Sequence, residues 1–225
     1  MRTFKIEPLD TQAMETCRFR IDNLTKPIYS LATLETIAER FAGILRDPKP
    51  NHLRQGVLVV AADHLVDGPQ NDQHGSESYA AIKRFNEGTT ATQGAAAKLN
   101  AVVHVVNIGL EQDTSDLANI EQQVIRKGSH FFGVEPVISR DELDRALELG
   151  FTYADKLHAD GLQVVAIGNI GERAFLDSLV TTATVTGCAY NDILVHNEWG
   201  PTVDERAAHI HSFVDPFKIA VDDWS

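Results

Sequence analysis

VLVVAAD, residues 57–63, is the stretch on which the fold turns. It is short, rich in β-branched side chains and apolar at consecutive positions, the pattern of a strand covered on both faces within a parallel sheet. Two later runs repeat it, AVVHVVNIG at 101–109 and LQVVAIG at 162–168. The segments between them carry helical spacing. Short helices are expected over 77–86 and 89–99. Ser139 with Glu142 three places later forms a capping box that opens a longer helix ending near residue 158. Residues 172–184 also read as helix, and Thr202 with Glu205 offers a further capping box for 203–213. Strands alternating with helices predict an α/β fold with a doubly wound, mostly parallel sheet.

Upstream of residue 50 the pattern changes. Residues 10–23 and 32–46 read as two amphipathic helices, with Leu34, Ile37, Ala38, Phe41 and Leu45 recurring at helical spacing. LTKPIYS separates them, because Pro27 disfavours helix at Lys26. DPKPNHLRQG then acts as a linker. The expected organisation is an N-terminal helical extension over 1–50 and a Rossmann-like α/β domain over 51–225.

A chain of 225 residues, 43% hydrophobic and 23% charged, can bury one sizeable core and carries no segment biased toward disorder. The formal net charge of −12 opposes binding to nucleic acid or to an anionic membrane surface. No apolar run reaches the roughly 20 residues of a membrane span, and the start MRTFKIEPLD lacks the apolar centre of a secretory signal. Two cysteines, Cys17 and Cys188, fall outside any CxxC pattern and are expected to be buried thiols. A soluble, cytoplasmic protein without nucleic-acid or membrane partners is the expectation.

Ligands of open parallel sheets bind beyond the carboxyl ends of the strands. That rule selects three loops: Asp63-His64, Asn107 to Glu111, and Gly168 to Arg173. In the last, Gly168, Asn169 and Gly171 precede a helical stretch, and glycines there let backbone amides approach an anion at the helix N-terminus. The competing reading is a tight strand-to-helix turn with Glu172 complementing the helix dipole. Asp63 and His64 are the candidate catalytic pair, able to share a proton or orient a polar group, and equally able to form a plain loop hydrogen bond. Arg126 and Lys127, ahead of Gly128 and Ser129, either contact a phosphate or are solvated charges. His104 reads as a satisfied strand residue. His209 and His211, two places apart on a helix, point about 200° from one another and cannot share an ion. His196 and Glu198 form an HxE without the PCxxC that completes a zinc deaminase site. No metal and no cofactor are expected.

Several segments together resemble the nicotinate-nucleotide:dimethylbenzimidazole phosphoribosyltransferase family. They are RIDNLTKPIYSLATLE (20–35), VVAADHLV (59–66), RFNEGTTAT (84–92), VVHVVNIGL (102–110), RKGS (126–129), ISRDELDRALELG (138–150), VVAIGNIGE (164–172) and DPFKIAVDD (215–223), in family order and at nearly family spacing. The resemblance implies a reaction in which an aromatic base nitrogen displaces nicotinate from nicotinate mononucleotide to give an α-ribosyl phosphate. Such a site needs a proton acceptor, a phosphate cradle and an apolar slot for the ring. It implies a nucleotide- or aromatic-base-binding cleft in which Gly168, Asn169, Gly171, Ser76, Gly88, Gly128 and Ser129 contact substrate or phosphate, and Arg173, which the turn acquires outside the family pattern, offers a charge-assisted phosphate contact.

The sequence departs from the family at several of these positions. Asn169 stands where the family has a glutamate, and an amide cannot accept a proton at physiological pH. Arg173, Ala174, Phe175 and Leu176 replace the phosphate-gripping continuation of the turn, and Leu65 follows the Asp-His pair where the family has glycine. Gly88 precedes Thr89, Thr90 and Ala91 in place of the family's small residues, and Ser76 stands in for the base-contacting serine. The family's general-base glutamate lies in a C-terminal third that follows the matched region. Two readings follow from this: a phosphoribosyltransferase acting as a homodimer or with a complementing chain, and a catalytically silent nucleotide- or base-binding module. A hydrolase built on Asp63, His64 and His74 is a third.

Overall fold

The computed structural model describes residues 6–51, 53–65, 75–131 and 136–172, with individual positions between 174 and 188. The chain divides into two compact units, Met1–Leu53 and Arg54–Ser225.

The first unit is a helix pair. Helix α1 (Thr11–Asp22) is capped by Asp10, whose carboxylate accepts the Ala13 amide at 3.0 Å. Helix α2 (Thr33–Leu45) follows the corner anticipated at Pro27. That corner is held by Glu35, buried, whose Oε1 accepts Lys26 Nζ at 2.8 Å and the Leu31 amide at 3.0 Å. The Lys26 hydrogen bond, followed by that of Leu31, holds the Glu35 carboxyl below its usual range. The chain turns tightly here. Tyr29 and Ala32 adopt φ of 58° and 46°, the left-handed side that side chains avoid. Cys17 is buried against α2, its thiol 3.8 Å from the Ala38 carbonyl oxygen. Cys188 is exposed, contrary to the expectation of two buried thiols.

The second unit is an α/β layer structure. In chain order it contains β1 (Gln55–Ala62), α3 (Ser76–Asn86), α4 (Ala91–Lys98), β2 (Val102–Gly109), β3 (Glu121–Gln122), α5 (Arg140–Ala159) and β4 (Val164–Ile170). All pairings are parallel and the strand order is β3-β2-β1-β4. After moving outward from β1 to β2 and β3, the chain crosses back to place β4 on the other side of β1. The switch point therefore lies between β1 and β4.

Alternation within the strands sends residues to two covered faces. On one, Val59, Ala61 and Val105 pack with Ile82 of α3 and with Leu110, Leu117 and Ile120 of the loop after β2. On the other, His104 of β2 meets Glu121 of β3 at 2.8 Å, and Glu121 also accepts Tyr153 Oη at 2.7 Å and Lys156 Nζ at 2.9 Å from α5. Burial works to raise the Glu121 pKa, but the hydrogen bonds from His104, Lys156 and Tyr153 outweigh it and lower it to about 2. Burial and the same carboxylate push the Tyr153 hydroxyl well up. These contacts dock α5 on the sheet. Helices on opposite faces of a parallel sheet make the fold the doubly wound α/β type that the alternating pattern predicted.

Two elements differ from expectation. β3 is only two residues long, paired through Val106 with Glu121 and Asn107 with Gln122, too short to leave a periodic signal. β4 runs two residues past Gly168, so Gly168 and Asn169 lie within the ladder, opposite Val59 and Val60 of β1. The capping box of α5 is present in full, with Ser139 and Glu142 each bonding the other's backbone amide. Ala174, Ser178, Thr182, Ala183, Val185 and Thr186 are helical, in line with the helix read over 172–184. The proposed capping box at Thr202 and the helix after it lie outside the described residues.

Candidate functional site

Asp63 ends β1 and organises the loops around the switch point. It is buried, and its Oδ1 accepts the hydroxyl of Ser78 on α3 and the amide of Glu172 at 2.9 Å, while Oδ2 accepts the amide of Glu111 at 2.9 Å. One carboxylate thus joins the ends of β1, β2 and β4 to α3. The turn after β4 closes on the same point. The His64 amide donates to the Glu172 carbonyl at 3.0 Å, and Glu172 Oε1 accepts the Glu77 amide at 3.1 Å in the first turn of α3. Gly171 makes this approach possible, because a β-carbon there would overlap the Ala62 carbonyl oxygen.

This geometry bears on the phosphate reading of the glycine turn. The Glu172 amide that would meet an anion at the turn is already donated to the protein's own carboxylate, Asp63. Gly168 is an interior strand residue and does not line the cleft, whereas Asn169 does. Asp63, a candidate acid–base residue, has both oxygens engaged and acts as a tie. The serine that contacts it is Ser78, while Ser76, offered by the sequence as the base-contacting serine, is not among the residues lining the cavity. Ser76, two residues earlier, is exposed. Helical geometry carries Ser78 inward, which local composition does not reveal. Gly88, at φ 74°, ends α3 and is not part of the cleft. Arg173 and His74 lie outside the described residues, as do His196, Glu198, His209 and His211.

A cavity of about 300 Å³ opens beyond the carboxyl ends of β1, β2 and β4, on the α5 side of the sheet. Its walls are mostly aliphatic, including Val60, Ile108, Ile125, Val137, Ile138 and Ala146. The polar side chains around it are Asp63, His64, Arg126, Ser129, Glu142, Asn169 and Ser178. Gly128 also lines it at φ 63°, where a β-carbon would stand 2.5 Å from Glu111 Oε2. The Ser129 hydroxyl is committed, accepting the Leu65 amide at 2.9 Å and donating to the His130 carbonyl at 2.7 Å.

Arg126 and Glu142 form the charged part of the wall. Arg126 Nη1 lies 3.6 Å from Glu142 Oε1, and His130 Nε2 lies 3.7 Å from Oε2. Arg126 Nε is shielded from solvent and has no hydrogen-bond partner among the described residues. The hydrogen bonds of Ser139 come first in holding the Glu142 carboxyl below its usual range, with Arg126 and His130 adding to them. The capping-box signal located Glu142 correctly but gave no hint that it also faces a cleft. Among the described residues no group of histidine, cysteine and acidic side chains is arranged to hold a metal ion.

The family model described as Phosphoribosyltransferase matches residues 6–210. The chain belongs to the nicotinate-nucleotide:dimethylbenzimidazole phosphoribosyltransferase family. The enzyme of that name from Chloroflexus aggregans is 32% identical over 188 residues, covering 81% of this chain and 52% of the relative. That from Geobacter sp. strain M21 is 29% identical over 190 residues, covering 84% and 54%. The chain therefore spans about half the length of the curated relatives it matches. The crystal structure of the nicotinate-nucleotide-dimethylbenzimidazole phosphoribosyltransferase from Thermus thermophilus superposes with a TM-score of 0.79 at 24% identity, over 95% of this chain and 62% of that one. A second structure from that organism, of CobT, gives 0.75 at 23% identity, over 93% and 66%. At those identities the structures speak for the fold. Family membership agrees with seven of the eight segments quoted from the sequence, and the eighth, DPFKIAVDD at 215–223, lies beyond the matched residues.

Proposed function

We propose that the cleft beyond β1 and β4 binds a phosphoribosyl nucleotide and an aromatic base, and that this chain takes part in phosphoribosyl transfer of the family type. The supporting observation is the cavity itself: an aliphatic slot suited to a flat ring, bordered by the Arg126 guanidinium, a cation suited to a phosphate or carboxylate. In the transfer a ring nitrogen lone pair attacks ribose C1′, the bond from C1′ to the nicotinate nitrogen breaks, nicotinate leaves, and the ring N–H proton passes to an acceptor. Arg126 and the backbone around Gly128 hold the nucleotide, and the aliphatic wall excludes water from the ring.

A second reading, a binding module without turnover, is favoured by Asn169. That residue lines the cleft as a neutral amide, and Asp63 is fully occupied. Calorimetric titration with nicotinate mononucleotide and dimethylbenzimidazole, followed by an assay for released nicotinate, separates the two. Release supports the transferase, binding without release supports the module, and the absence of both overturns each.

The same proposal treats the helix pair and the α/β unit as two domains, and includes self-association through the helix pair. There Phe19, Ile28 and Leu34 are 73%, 76% and 64% exposed, large apolar side chains of the kind that interfaces cover. Sedimentation showing a monomer at high concentration would overturn it, and a complementing chain would then be sought. The unpaired thiols Cys17 and Cys188, one of them exposed, fit the reducing environment of the cytoplasm. Among the described residues no helix is long and apolar enough to cross a membrane.

A further inference from the structure

We propose that Glu142 is the group that recognises the ring N–H of the aromatic base, so that the cleft selects heteroaromatic rings carrying a protonated ring nitrogen. This rests on the reading of the cavity as a base-binding cleft and assigns its specificity to one side chain.

Elimination among the anionic acceptors of the cleft leads to Glu142, since Asn169 and Ser178 line it as neutral groups. Two carboxylates line the cavity among the described residues, Asp63 and Glu142. Asp63 is spent on Ser78, Glu111 and Glu172. Glu142 is only half spent. Its Oε2 accepts the Ser139 amide at 2.7 Å, but Oε1 has Arg126 Nη1 at 3.6 Å, an ion pair longer than a hydrogen bond. A lone pair on Oε1 is therefore left for a ligand. The side chain is fixed in place by its capping role, so a ligand donor meets it without the entropy cost of ordering a free glutamate.

Its surroundings define what it can select. Ile125, Val137, Ile138 and Ala146 line the same cavity, the last one helical turn along α5 from Glu142. A flat ring between these side chains would bury its edge against Oε1. Ser139, Arg126 and His130 keep the carboxyl in its charged form, which accepts hydrogen bonds and cannot donate them. A ring N–H is then favoured, and a ring that presents a methyl group at the same position leaves a desolvated carboxylate unpaired. Sites built around a polar partner reject analogues lacking it far more strongly than apolar slots reject a change of size.

The test compares benzimidazole with 1-methylbenzimidazole by calorimetry, on the full chain and on Glu142→Gln. Glutamine serves in a capping box as glutamate does, so the variant keeps α5 while removing the charge. The parent protein is expected to prefer benzimidazole by about tenfold or more, the worth of a hydrogen bond to a charged acceptor. In Glu142→Gln that preference should fall close to one, with affinity for nicotinate mononucleotide retained and the thermal midpoint little changed. Equal affinity of the parent for the two rings, or an undiminished preference in the variant, overturns the assignment. If nicotinate mononucleotide binds and neither ring does, this assignment falls while the nucleotide reading stands. If nothing binds, the reading of the cleft falls as well.

Discussion

The amide nitrogen of Glu172 lies 2.9 Å from Oδ1 of Asp63, across 109 residues of chain. The same carboxylate takes the Ser78 hydroxyl and the Glu111 amide, so three segments distant in sequence converge on one buried anionic group. Replacing Asp63 by asparagine turns one oxygen into a donor that faces another donor. Asp63→Asn is expected to lose about 2–3 kcal/mol, the scale of a lost charge-assisted bond plus an unsatisfied group. Urea denaturation with an unchanged slope reads the loss directly. A midpoint equal to that of the parent would show that the carboxylate is dispensable.

Two glycines of this unit should respond to alanine with opposite signs. A β-carbon on Gly171 would overlap the Ala62 carbonyl oxygen, so Gly171→Ala must push β4 away from the end of β1. We expect a loss above about 3 kcal/mol, or failure to accumulate folded protein. Gly94 lies inside α4 with nothing near its would-be β-carbon, and alanine there should add about 1 kcal/mol. Thermal melts of the pair suffice, and a stable Gly171→Ala would mean that the turn is built differently.

In the helix pair the sign of an alanine-to-glycine change should follow the local backbone conformation. Ala32 sits at φ 46° and ψ −122°, a region that essentially only glycine occupies without strain. Ala32→Gly is expected to gain about 1 kcal/mol. Ala42, fully buried within α2, has ordinary helical backbone, and Ala42→Gly should cost about 1 kcal/mol. Chemical denaturation followed by circular dichroism checks both, and a destabilised Ala32→Gly would contradict the strain.

Acid should weaken the docking of α5. The folded pKa of Glu121 is lowered to about 2 from an ordinary 4.5, so its contribution is fully present above about pH 4.5. It is lost as pH falls from there toward 2, where the group protonates in both states. Glu121→Gln should therefore be less stable than the parent at neutral pH, and the two stability curves should converge near pH 2. Parallel curves over that interval would refute the role of the carboxylate.

The layout of the α/β unit is readable from periodicity because β1, β2 and β4 are each apolar over several consecutive residues and the Ser139–Glu142 box marks the start of α5 locally. The functional surroundings are less legible, for reasons of distance. That Asp63 is consumed internally depends on Ser78, Glu111 and Glu172 arriving from elsewhere, and no local pattern encodes their meeting. Gly168 looks like a turn because glycine breaks a run, yet pairing with β1 carries the strand on to Ile170. Glu142 shows the opposite case. Its local signal is strong and points to the right helix start, and that signal masks a second task that appears only once Arg126 and the aliphatic wall stand beside it.

The position of β4 next to β1 has a consequence for synthesis on the ribosome. The helix pair can form as soon as it leaves the exit tunnel, and β1 can pair with β2 within about one further unit of helix and strand. The other edge of β1 must wait until Ile170 has emerged, and Asp63 stays without one of its three donors until Glu172 is in place. Nascent chains halted short of that point expose an apolar central strand, and these are the species for which a chaperone would compete.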